Sequence, residues 1–100
     1  MAEIKCSDKT KEKLQKKHNV DVAEVLQCFK NRDPAKRFLL DTRAAHKTDP
    51  GTLWFIAETN VGRRLKVCFI PPHPGNGNAV EIKSAFDPIG DEERIYKKHA

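Results

Sequence analysis

Residues 53–70, LWFIAETNVGRRLKVCFI, decide the fold. Leu53, Phe55 and Ala57 alternate with Trp54, Ile56 and Glu58. Past Asn60-Val61-Gly62, Leu65, Val67 and Phe69 alternate with Arg64, Lys66 and Cys68. A period of two in β-branched and aromatic residues predicts strands over 53–59 and 63–70. The Asn/Gly turn between them joins the pair as an antiparallel hairpin.

Downstream, PPHPGNGN (71–78) cannot lie inside a sheet, so residues 79–86 are expected to form the next strand. Asp87-Pro88 breaks it. A short helix over 91–99 follows, with acids at its start and Lys97 and Lys98 at its end, as the helix dipole favours. Upstream, residues 37–42 read as a strand and 43–51 as a polar loop. Before them the period changes to that of a helix. Val22, Val25, Leu26 and Phe29 form one apolar stripe, Asp21 and Glu24 form a capping box, and Val20 is placed to staple onto Val25. Residues 8–18 predict a lysine-covered helix capped by Ser7, ended by Asn19, with Leu14 as its one clear apolar anchor. Residues 31–34 close the helical hairpin, and residues 2–5 are compatible with an added edge strand. The fold class expected is α+β: an N-terminal helical hairpin packed on a four-stranded antiparallel sheet, with a short C-terminal helix. One domain over residues 1–100 accounts for the chain.

Composition narrows the function. No apolar run approaches the roughly 20 residues needed to cross a bilayer, and no signal-peptide pattern opens the chain, so a cytoplasmic protein with no membrane partner is expected. Cys6, Cys28 and Cys68 are odd in number and widely spaced, which argues against a disulfide framework or zinc knuckle. His18, His46, His73 and His99 show no metal-ligand spacing, and no nucleotide-cofactor or nucleophile motif is present; no metal and no cofactor are expected. The net charge of +5 and pI of about 9.2 favour a polyanionic partner.

Strand alternation sharpens this. If the helical hairpin covers Leu53, Phe55, Leu65 and Val67, the opposite face is left open with Trp54, Glu58, Arg64, Lys66 and Lys83. Cations beside an aromatic can hold a phosphate backbone and stack a base. The same pattern also fits a solvated sheet face with cross-strand Lys–Glu pairs and a half-buried tryptophan. In the loop, Asp41-Thr42-Arg43-Ala44-Ala45-His46 places an imidazole near an arginine, which suits proton transfer near neutral pH and equally suits a solvated loop histidine. Cleavage of RNA needs no metal, because the 2′-hydroxyl of the substrate is the nucleophile. The protein must orient it, neutralise charge on the phosphate and move protons. The residues available are Arg64, Lys66, Lys83, His46 and Glu58 for catalysis, with Arg43, Trp54, Arg63, Arg94 and Tyr96 for RNA contacts.

Several segments taken in order carry a family resemblance: KKHNVDVAEVLQCF, DTRAAH, WFIAETNVGRRLKVCFI, and EIKSAF followed by EERIY. Together they span about nine tenths of the chain, and the set resembles the BrnT-like toxins of bacterial toxin–antitoxin pairs, in the RelE/ParE superfamily. That resemblance implies a RelE-like fold and a toxin that cleaves RNA, ribosome-bound mRNA included, or otherwise blocks translation. It also implies a cognate antitoxin. Arg64 would contact phosphate; Ser84, Glu93 and Tyr96 fall on the family pattern. The basic pair that usually follows the family's Ser-Ala is replaced by Phe86 and Asp87. The alternatives are a non-catalytic basic RNA-binding module and a gyrase-directed toxin on the same fold. Similar chains are sometimes labelled ADP-ribosyl-(dinitrogen reductase) hydrolases. That activity rests on clustered acids holding magnesium, and the sequence offers no such cluster.

Overall fold

The computed structural model describes residues 3–41 and 51–100. Helix α1 (Asp8–His18) starts where the Ser7 hydroxyl accepts the Thr10 amide, and ends at Asn19, whose φ of 52° is the left-handed conformation expected there. Helix α2 (Val22–Asn31) opens with the predicted box, the Asp21 amide donating to Glu24 Oε1 at 3.1 Å. Leu14, Val20, Val25 and Cys28 are all buried in one core.

The strands are β1 (Ile4–Lys5), β2 (Leu39–Leu40), β3 (Leu53–Glu58), β4 (Arg64–Ile70) and β5 (Val80–Phe86), and helix α3 (Gly90–His99) ends the chain. Their order in the sheet is β1-β5-β4-β3-β2. The predicted β3–β4 hairpin is present: the Thr59 amide donates to the Arg63 carbonyl, and Gly62 takes a φ of 85° that a side chain would resist.

Three expectations are corrected. The sheet has five strands and is mixed rather than four-stranded and antiparallel, because the N-terminal edge strand forms and pairs parallel to β5 through Ile4 and Val80. The strand expected over 37–42 shortens to Leu39–Leu40, its ladder extended by the Asp41 amide bonding the Thr52 carbonyl at 2.8 Å. Thr42, the last residue of that expected strand, and residues 43–50 of the following loop lie outside the described residues. Finally, the second face of the sheet is not open. The helical hairpin covers Phe55, Leu65, Val67 and Phe69, while α3 lies on the other face, where Trp54, Ile56, Lys66 and Cys68 are buried with Tyr96.

The phase of β5 also departs from simple alternation. The register shifts at Cys68/Phe69, so Ile82 pairs with Phe69 whereas Ala85 pairs with Val67. One irregular residue step turns Ser84 and Phe86 from the hairpin face to the α3 face. Phe86 lies beside Lys66 and, at the end of β5, also meets the ring of His18 at the end of α1.

Candidate functional site

A groove of about 630 Å³ opens where the end of α2, the β3–β4 turn and α3 meet. Arg64, at the start of β4, points into it. Its Nε donates to both Glu93 oxygens, at 3.0 and 2.8 Å, Nη2 reaches Oε1 at 2.6 Å, and Nη1 lies 3.4 Å from Glu58 Oε1. These bonds, that to Glu93 foremost, hold the guanidinium above its usual pKa. Glu58 faces Arg64 across the hairpin because the two are register partners. Glu93 and Lys97 come from α3, one turn apart on one helix face.

Tyr96 forms the floor. It is 4% exposed, its ring stacks obliquely on Trp54 at 5.9 Å, and Lys36 Nζ sits 5.6 Å from its centroid. The hydroxyl is buried without a well-formed hydrogen bond, although the Ile56 backbone is close enough to affect it. Burial pushes its pKa up, so the phenol stays protonated and remains a donor. Arg32 lines the same groove. Its guanidinium lies 4.1 Å above the Phe38 ring, Nη2 donates to the Lys36 carbonyl, and Nε is buried without a partner. Asn31 fixes the rim by donating to the Glu58 carbonyl and to Asn60. The four cations Arg32, Lys36, Arg64 and Lys97 outnumber the three acids Asp33, Glu58 and Glu93.

Of the residues expected to act, Arg64, Glu58 and Tyr96 are brought together. Others are engaged elsewhere. Lys66 is 5% exposed, bonded to Glu92 at 2.5 Å and seated 4.5 Å from the Trp54 ring, and Trp54 is itself core. Arg63 faces the opposite side of the sheet. It forks onto Asp87 and donates to the His18 and Asn19 carbonyls and to Glu24, tying both helices to the β4–β5 end. Lys83 pairs with Glu81, three residues along β5 from the partner of Lys66. Arg94 pairs with Asp91 on the outer surface of α3. Arg43 and His46 lie outside the described residues.

Sequence reasoning missed Arg32, Lys36 and Lys97. The first two sit in NRDPAK, which reads only as a helix terminator. Lys97 could have been found from its spacing to Glu93, since residues four apart share a helix face. Among the described residues, no group of acids, histidines and cysteines is arranged to hold a metal ion. No helix among them is long and apolar enough to cross a membrane.

Comparison with known protein families finds no matching model, and neither the curated proteins nor the solved structures give a match.

Proposed function

We propose that this chain is an RNA-directed toxin of the RelE/ParE kind, which cleaves the phosphodiester in the groove between the β3–β4 turn and α3 without a metal ion. The observation that carries the reading is the convergence of Arg64, Glu58 and the unpartnered Tyr96 hydroxyl beside Lys97 and Lys36. The likeness of the chain's segments to the BrnT-like toxins supports it.

In this scheme a phosphate exchanges with Glu93 on the Arg64 guanidinium, one charge-assisted fork replacing another. Glu58, released from the same arginine, accepts the proton of the 2′-hydroxyl. The 2′-oxygen attacks phosphorus, the bond from phosphorus to the 5′-oxygen breaks, and that oxygen takes a proton from Lys97, or from Tyr96 once bound RNA uncovers its buried hydroxyl. The products are a 2′,3′-cyclic phosphate and a 5′-hydroxyl. Arg64 and Lys97 stabilise charge on the phosphoryl oxygens, often the largest catalytic contribution. A cognate antitoxin would have to deny RNA this groove.

Single-stranded RNA incubated in EDTA tests the scheme. The parent chain should yield cyclic-phosphate ends and Arg64→Ala should not. Glu93→Gln, which loosens the competing carboxylate, should bind RNA several-fold more tightly. Binding without cleavage by the parent, with Glu58→Gln indistinguishable from it, would leave a non-catalytic RNA-binding module. No binding at all would overturn the reading.

A further inference from the structure

Helix α1 stands apart in charge. Its 11 residues carry five lysines against Asp8 and Glu12, and so account for +3 of the net +5. Only Leu14 is buried. Lys9, Lys13 and Lys17 are spaced four apart, which stacks them in one row about 12 Å long. All three are exposed, and among the described residues none of them makes an ion pair, whereas neighbouring Lys16 pairs with Glu12 at 2.5 Å. Like charges at this spacing weaken a helix slightly, so the row costs the fold a little and adds nothing to its packing.

The end of α1 and the groove border the same β3–β4 turn, from opposite faces of the sheet. Arg63 Nη2 and Nη1 donate to the carbonyls of His18 and Asn19, at 3.1 and 2.8 Å, which fixes the last turn of α1 against the β3–β4 turn. The next residue, Arg64, projects to the other face, into the groove. A strand that leaves the groove over that turn and crosses the edge of the sheet would reach the C-terminal end of α1, where Lys17 stands one residue before His18.

We propose that Lys9, Lys13 and Lys17 form a second contact for the same polynucleotide. The ligand is then a single strand long enough to bridge the groove and α1, rather than a nucleotide or a short fragment. The inference rests on the groove being the RNA site. An anionic membrane is the weaker fit, because the outward face of α1 offers no apolar side chain to insert.

The test measures affinity against salt for 2′-O-methylated U12 and U4, which resist cleavage, with the parent and the triple variant K9Q/K13Q/K17Q. Lys and Gln have similar helix propensity, and circular dichroism melting checks that the fold is kept. The slope of log affinity on log salt for U12 should fall by about 2 in the variant, at roughly 0.7 per phosphate contact on a single strand, with U4 unchanged. A slope that stays the same while the parent binds U12 would remove the row and leave the groove standing. An equal fall for U4 would show that the row is not a separate contact. A parent that binds neither oligonucleotide, whether or not it binds phosphatidylserine vesicles, would overturn both.

Discussion

Glu92 holds Lys66 and the start of α3 at once: Oε2 meets Lys66 Nζ at 2.5 Å, and Oε1 accepts the Ile89 amide at 3.0 Å. The lysine side chain is 6% exposed and the glutamate 17%, so the pair is nearly dry. Removing one partner of a buried pair strands the other charge, at a typical cost of 3–5 kcal/mol. Glu92→Ala is therefore expected to lose about 3 kcal/mol in urea unfolding. The double change Lys66→Met with Glu92→Met should recover most of that loss, because no charge is then left without a partner.

Arg63 is a structural tie, and its replacement should register as lost stability. Its fork onto Asp87 raises the guanidinium above its ordinary pKa, and its other donors satisfy the α1 C-terminal carbonyls. Hydrogen bonds to charged groups contribute roughly 1.5–3 kcal/mol. With the side chain 27% exposed, Arg63→Ala is expected to cost about 2 kcal/mol by thermal and urea unfolding. Arg63→Lys should restore only part, since an ammonium cannot fork onto Asp87 and span both carbonyls.

Tyr96 should separate function from stability. Its hydroxyl is buried without a good partner, so Tyr96→Phe removes an unsatisfied polar atom while the ring keeps its place against Trp54. Stability should be unchanged or higher by up to about 1 kcal/mol. RNA cleavage should nonetheless fall roughly 10²-fold or more if the phenol donates the leaving-group proton. Equal cleavage by the two chains would assign that step to Lys97.

His18 predicts an acid-side loss of stability. Its pKa is lowered from 6.5 chiefly by desolvation, then by Lys13 and Lys17, with Asp87 opposing. The unfolded chain thus binds the proton more readily than the folded one. The contribution is present above the unfolded pKa, near 6.5, and is lost as pH falls below it toward the folded value. His18→Gln should flatten the pH dependence of unfolding in that window.

Much of this architecture was legible locally. Helix bounds followed from Ser7, Asn19 and the Asp21–Glu24 box, and the β3–β4 hairpin followed from alternation around Asn60-Val61-Gly62, because caps and turns are satisfied by residues within a few positions. Arg64 and Glu58 could be placed on one face for the same reason. Arg32 and Lys36 could not, since a terminator segment carries no period that says what it will face.

The sequence by itself therefore determined the elements, the hairpins and the cationic composition. Only the tertiary structure decided which cations remain available. Glu92 and Glu93 reach Lys66 and Arg64 across more than 25 residues, because the apolar parts of Trp54, Ile56 and Tyr96 draw α3 onto the second sheet face. The register step at Cys68/Phe69 likewise set the facing of Ser84 and Phe86. Burial and charge pairing between distant segments depend on how whole surfaces fit together, and no local pattern of residues encodes that fit.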